Sequence, residues 1–308
     1  MRAPSAVVVG ATDLGATAAF LGHFGFVEAT SGKLDGSHAR DLYGLEGATK
    51  TRLMVQPGSR GGHISLVQTP HAGTVRGVFD QGPLALDIYT TDLDADLASL
   101  NDAGVAVGTP GRLELGPLVM RQVQITAPDG WRLVLVEANH RRPTVLDAPG
   151  HKGRHSEVHS QLWTVPDLDE AAAEWIKAGF AQTHVFPIAH PELAKILELP
   201  SPDTGLRMNL LVGDEQDPVR VELVEFPDNP GAPEVTDSVL RAGVHALWFV
   251  VDDLDGPVAS RLTDARRVVT KRGEAVVGLL GGVRVECWQK VDLDPPPRLG
   301  RFRRPEKA

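Results

Sequence analysis

The sequence predicts an α+β chain built from four β-α-β-β-β units. Three observations predict it. An Asp-Leu pair follows an apolar run four times, at Asp13, Asp92, Asp167 and Asp253. Twelve residues after the first three stand Gly25, Gly104 and Gly179, whereas the fourth copy has Ala265 there. Two or more strand-like runs then precede each linker.

Each element has its own warrant. "SAVVVGATDLGATAAFLGHFGF" opens the first unit and "PLALDIYTTDLDADLASLNDAGV" the second. "SEVHSQLWTVPDLDEAAAEWIKAGF" opens the third and "VHALWFVVDDLDGPVASRLTDAR" the fourth. In each, an apolar strand leads to an Asp that caps a helix by accepting backbone N–H bonds. Asp167 and Glu170 fit a capping box. Leu168, Ala172, Trp175 and Ile176 make an apolar stripe. About three turns on, glycine takes the left-handed conformation that ends a helix. The later strands are "TRLMVQ" and "HISLVQ", then "LVMRQVQITAP" and "WRLVLVE", then "LRMNLLVG" and "VRVELVEF", then "EAVVGLL" and "VRVECWQ". "PDG" at 128–130 and "GG" at 281–282 are turns before last strands.

One unit leaves a sheet face uncovered, so units should pair. The chain of 308 residues suits two domains. The linker "RRPTVLDAPGHKGRH" is the most domain-like boundary. The expected division is therefore 1–140 (units at about 1–70 and 82–140) and 154–292 (units at about 154–228 and 241–292). A basic tail at 293–308 carries Arg298, Arg301, Arg303 and Arg304.

The formal net charge of −9 speaks against a nucleic-acid or anionic-membrane binder. Cys287 is the only cysteine, which excludes an internal disulfide and a cysteine-rich zinc site. No apolar run approaches membrane-spanning length and no leader pattern opens the chain, so a cytoplasmic location is the expectation. The expected partner is a small-molecule ligand or substrate, and the expected state a monomer or homodimer.

The four Asp-Leu helix starts, "GHFGF" and "KAGF" after helices, "PDGWRLVLVE" and "VRVELVEF" resemble the vicinal oxygen chelate superfamily. Its members include glyoxalase I, bleomycin-resistance proteins, methylmalonyl-CoA epimerase and extradiol dioxygenases. The resemblance covers nearly the whole chain and implies units paired into two domains, each a curled mixed-sheet cup with helices outside. It also implies that metal ligands, where present, come from first and last strands. The first-strand ligand lies seven residues before the capping Asp; the last-strand ligand is the Glu of a V/I/L-E-L triplet.

In the N-terminal pair these positions hold Ala6 and Ala85, then Ser65 and Val134, so that cup is expected to be metal-free. His63, Asp87, Tyr89 and Arg132 could line it as a polar ligand site, or form a solvated sheet face. In the C-terminal pair the last-strand positions hold Glu222 and Glu286. The first-strand positions hold Ser160 and Ala246, with His159 and His245 one residue earlier. One residue flips a strand side chain to the other face. A β-bulge would restore the imidazoles to the cup, and in the fourth unit a cap at Asp252 would do the same.

The functional reading is a site of His159, His245 and Glu286, with Glu222 as fourth ligand or base. That set suits Fe(II) and accepts Mn, Zn or Ni. The alternative has both His as strand-end residues and the carboxylates solvated or paired with Arg207, Arg220 or Arg284. Trp163, Trp248 and Trp288 could stack on a planar ligand or pack the core. His184 and His190 read as loop, His151 and His155 as linker, and Cys287 as a buried small residue. Two functions follow. One is a metal-dependent lyase, isomerase or dioxygenase-like enzyme on a small oxygenated or aromatic molecule in the C-terminal cup, with Glu222 and Glu286 as its catalytic carboxylates. The other is a metal-free binding or drug-sequestering protein.

Overall fold

The computed structural model describes residues 4–73, 76–213, 219–233, 239–270 and 273–290; the arginines of the basic tail lie outside them. The first unit runs β1 (Ala6–Ala11), α1 (Leu14–Gly22), β2 (Val27–Leu34), α2 (Gly36–Tyr43), β3 (Thr49–Val55) and β4 (His63–Gln68). The second runs β5 (Gly82–Thr90), α3 (Leu93–Asp102), β6 (Gly111–Leu115), β7 (Leu118–Thr126) and β8 (Arg132–Ala138). The third runs β9 (His155–Thr164), α4 (Leu168–Lys177), β10 (Ala181–Ile188), α5 (Pro191–Ile196), β11 (Leu206–Val212) and β12 (Arg220–Glu225). The fourth has β13 (Gly243–Val251), β14 (Thr263–Thr270), β15 (Gly273–Leu280) and β16 (Val283–Gln289).

Three of the four Asp caps work as the repeat predicts. Asp13 accepts from the Gly15 and Ala16 amides at 2.7 and 3.0 Å. Asp92 accepts from Ala95 at 3.0 Å and Asp167 from Glu170 at 2.9 Å. Gly25, Gly104 and Gly179 all have positive φ, which an L side chain adopts only at a cost.

The fourth helix does not form. Asp253 closes a tight turn onto the Asp255 amide at 2.9 Å, and only a single 3-10 turn follows at Ala259–Arg261. Gly256 and Pro257 explain this. Proline at the fourth helical position removes an N–H the helix needs, and the glycine before it favours the coil. Ala265 accordingly lies within β14 rather than at a helix end.

The units do not pair in the order of the chain. One sheet has the order β14-β15-β16-β13-β1-β4-β3-β2, joining the fourth unit to the first. The other has the order β10-β11-β12-β9-β5-β8-β7-β6, joining the third to the second. Antiparallel ladders β1/β13 and β5/β9 make the two joins. On the helix-bearing faces, Val9, Phe20 and Ile64 of the first unit share a core with Leu86, Leu93 and Leu133 of the second. Trp163, Trp175 and Leu211 of the third share one with Leu247, Phe249 and Val285 of the fourth. Each half thus holds together through helices, while each cup is made from one unit of each half. A strand has two edges and two faces, so both partnerships are satisfied at once.

Candidate binding cup of the first and fourth units

The histidine register is settled by bulges. In the β1/β13 ladder Val8 pairs with Ala246 and Val9 with Val244, which leaves His245 as the extra residue. In the β5/β9 ladder Asp87 pairs with Ser160 and Ile88 with Val158, which leaves His159 extra. Each bulge lets an imidazole join the cup side beside its neighbour. His245 packs edge-on to Tyr43, ring centres 6.0 Å apart. His159 stacks on Tyr89 at 3.5 Å, with 6° between the planes.

The cross-pairing nevertheless separates the expected ligand set. His245 and Glu286 belong to one sheet, His159 and Glu222 to the other. No site contains His159, His245 and Glu286 together. The same recombination parts His63, on β4 of the first sheet, from Asp87 and Tyr89, on β5 of the second.

Glu286 is the buried carboxyl of the first cup. It is 3% exposed. Its Oε2 accepts hydrogen bonds from Tyr43 Oη at 3.3 Å and Trp288 Nε1 at 3.1 Å. Burial raises its pKa to about 7, against the donors Trp288 and Tyr43 and the charges of Arg284 and Arg266. Burial likewise holds His245 well below the usual imidazole range, assisted by Arg284, Arg266 and Arg76. The neighbouring Cys287 faces the helix-side core, and burial pushes its thiol up to about 12.

A cavity of about 570 Å³ opens over Glu286. Trp248 and Trp288 line it, their ring centres 6.0 Å apart, with Leu42, Tyr43, Leu53 and Ser65 among the opposing surfaces. On its other side Glu286 meets a smaller chamber of about 270 Å³, shared with His245, Arg266 and Arg284. Helix α2 closes the cup from the first unit. Ala39, Leu42 and Tyr43 pack with Ala246, Val268 and Val277 of the fourth, and Arg266 Nη2 donates to the Leu42 carbonyl at 3.0 Å.

The second cup has an apolar lining drawn from both of its units. Ile188, Leu197 and Leu206 of the third unit pack on Ala85, Val134 and Val136 of the second. Beneath them lies a buried ionic cluster. Arg220 Nη2 stands 2.6 Å from Glu222 Oε1, which also accepts from Ser160 Oγ. Burial raises the pKa of Asp87 well above the carboxylate range, and the Glu222 charge adds to this against Arg220. Burial holds His159 well below its usual range, and Arg220 and Arg142 reinforce it. Asp87 Oδ1 and both His159 nitrogens lack a hydrogen-bond partner among the described residues.

The remaining candidates fall out as follows. Trp163 is 1% exposed and packs in the helix-side core of the third and fourth units, so it does not line a cup. His63 lies half-buried, 3.5 Å from Ser59 Oγ, and burial lowers its pKa. Arg132 Nη2 donates to the Arg76 carbonyl at 3.1 Å, away from His63. Arg207 pairs with Asp169 and Glu225 at 2.8 and 2.9 Å rather than with a cup carboxylate. His184 sits in β10, and His190 caps α5 through Nδ1. Sequence reasoning missed Tyr43 and α2. Asp35 and Gly44 bracket that helix as N-cap and left-handed C-cap, a signal present in "LDGSHARDLYG".

The donor sets do not fit a divalent ion. The four superfamily positions of the first cup are Ala6, Ser65, Ala246 (with His245 beside it) and Glu286, which supply one imidazole and one carboxylate. Those of the second are Ala85, Val134, Ser160 (with His159) and Glu222, and Arg220 already occupies Glu222. Among the described residues no three His, Cys, Asp or Glu side chains gather to hold a metal.

This architecture is that of known proteins. Glyoxalase I from Zea mays superposes with a TM-score of 0.60 at 14% identity, over 94% of this chain and 92% of that one. A point-substituted form of the maize enzyme gives 0.61 at 16%, over 94% and 93%. A candidate dioxygenase from Bacillus subtilis gives 0.59 at 12%, over 96% and 86%. The chain has the tandem four-unit fold of the vicinal oxygen chelate superfamily. No protein-family model and no curated protein sequence matches it. Among the described residues no helix is long and apolar enough to cross a membrane.

Proposed function

We propose that the cup of the first and fourth units binds a small, planar, mostly apolar molecule without a metal ion. Glu286 is its polar anchor. The observation that carries this reading is the pair Trp248 and Trp288 beside a single buried carboxyl in a cavity of about 570 Å³. That volume lies within the range of small-molecule pockets. Aromatic walls supply stacking area, and one carboxyl selects a ligand that offers an N–H or O–H.

The test is a titration of the purified protein with planar aromatic compounds, followed by tryptophan fluorescence. Saturable quenching should be insensitive to a chelator. Trp248→Ala or Trp288→Ala should weaken it by about tenfold, from lost stacking and burial. Binding that requires added Fe, Mn, Zn or Ni, or that survives both substitutions, overturns the reading.

A second reading rests on the acidity of Glu286. A carboxyl that titrates near 7 suits proton transfer, so the site could serve a metal-free isomerase or lyase. Glu286→Gln would then keep ligand binding and abolish turnover. A pure binding protein shows no turnover in either form.

A further inference from the structure

The run Gly150-His-Lys-Gly-Arg154 joins the two halves and leads into β9 at His155. It forms one wall of a third cavity, of about 490 Å³, opposite Phe24–Gly25 and Gln56–Gly58 of the first unit. The titratable groups lining this cavity are His151, Lys152, Arg154 and His155; no Asp or Glu among the described residues lines it. In a chain of net charge −9, Lys152 and Arg154 thus stand on a lining without a carboxylate.

The cavity's parts divide into held and open donors. Asp96, 2% exposed, sits behind the lining and fixes two of the four groups. Its carboxylate stands 2.9 Å from Arg154 Nη2 and 3.0 Å from His155 Nε2. Arg154 is still 43% exposed. Lys152 is exposed and has no salt bridge or hydrogen bond among the described residues, and the buried His151 Nε2 has no partner either. The backbone N–H groups of Gly150, Lys152 and Gly153 donate to no protein group among the described residues. A short glycine-punctuated segment with open amides beside cationic side chains is the chemistry that holds phosphate oxygens. Pro57, Ala148 and Pro149, all exposed, add an apolar wall, and the volume far exceeds that of one phosphate ion.

We propose that this cleft binds a phosphate-bearing small molecule, its phosphate held by Lys152, His151 and Arg154 and its apolar part against Pro57 and Pro149. Calorimetric titration of the full chain with inorganic phosphate and with phenyl phosphate, at constant ionic strength in chloride, tests it. Both probes should bind saturably, and phenyl phosphate about tenfold more tightly because its ring reaches the apolar wall. Lys152→Glu should weaken both by tenfold or more while leaving the thermal midpoint unchanged, since the Lys152 side chain is exposed and makes no polar contact. His151→Gln should weaken both less. Absence of saturable binding, or equal binding by wild type and Lys152→Glu, overturns the site. Equal affinity for the two probes overturns the ester in favour of free phosphate.

Discussion

Tyr43 Oη and Glu286 Oε2 stand 3.3 Å apart although 243 residues separate them along the chain. The first unit thus supplies a donor to the one buried carboxyl of the fourth. The contact exists only because β1 pairs with β13.

The first prediction concerns Glu286 and pH. Its folded pKa is raised from 4.5 to about 7, mainly by burial. Below pH 4.5 the acid is protonated in both folded and unfolded chains and contributes nothing to their difference. Between 4.5 and 7 the unfolded chain ionises and the folded one does not, so stability falls as pH rises. The loss is about 3 kcal/mol, complete above pH 7. Glu286→Gln does not titrate. Urea unfolding should show the wild type losing about 3 kcal/mol relative to the variant between pH 4 and pH 8. Parallel pH profiles would sink the assignment.

The second prediction concerns His159, where the sign reverses. Burial and two arginines hold its folded pKa well below 6.5. Below pH 6.5 the unfolded chain takes up a proton that the folded one refuses, so stability falls as pH falls. His159→Phe keeps the ring stacked on Tyr89 and removes the titration; neither nitrogen has a side-chain partner among the described residues. At pH 8 the variant should match the wild type. At pH 5 it should be the more stable of the two. A variant destabilised equally at both pH values would point instead to a lost polar contact.

The third prediction concerns Arg220. Its guanidinium compensates Glu222 directly and Asp87 through the field of the cluster, all under an apolar cover. Arg220→Met leaves the buried Glu222 carboxylate without its counter-charge and should cost about 3–5 kcal/mol. Glu222→Gln on that background should recover a large part of the loss, because the charge that needed compensation has gone. Denaturation of the two single variants and the double variant gives the coupling; additive effects would show that the pair does not interact.

The repeat grammar was legible because it is local. An Asp cap, a three-turn apolar stripe and a left-handed glycine are all set by near neighbours, and Asp13, Asp92 and Asp167 cap as expected. The fourth helix is absent because Gly256 and Pro257 override its Asp-Leu start. The cup residues Glu222, Glu286, His159 and His245 could be placed on strands, and a bulge could be named as the condition for their facing inward. The expected pairing of first unit with second and third with fourth does not hold for the sheets, which join the first to the fourth and the second to the third. Both edges of β1 and β5 are apolar ladders, and choosing a partner is a long-range decision among near-equivalent strands. That choice parted His159 from His245. Trp163 shows the same limit on a smaller scale. The bulge at His159 shifts the alternation, so Trp163 faces the helix core while His159 faces the cup.

The fourth prediction isolates a backbone contact beside that bulge. Gly62 has a φ of +64°, and a Cβ there would lie 2.3 Å from the Val158 carbonyl oxygen. Its own carbonyl accepts from the Val158 amide at 3.2 Å. Gly116 has a φ of +61° with nothing within 4 Å of the added Cβ. Alanine at Gly116 should cost about 1–2 kcal/mol for the left-handed backbone alone. Alanine at Gly62 should cost clearly more, because the backbone of another strand must move. Equal losses in thermal unfolding would mean that the two sheets do not meet closely at that point.

The last prediction follows from the crossed pairing. Each half keeps its helix-side core, yet in isolation each exposes a first strand from both of its units. The first half would bare the β1 and β5 edges that face β13 and β9. An unpaired apolar edge is a template for association. Residues 1–141 and 142–308 expressed apart should therefore aggregate or assemble with themselves. Co-expressed, they should co-elute as one species of the intact chain's size, held by both inter-half ladders and by the contact of Tyr43 with Glu286. Size-exclusion chromatography with light scattering reads the result. Halves that are monomeric and stable alone, and ignore each other when mixed, would show that each sheet closes within its own half, against the β1/β13 and β5/β9 ladders.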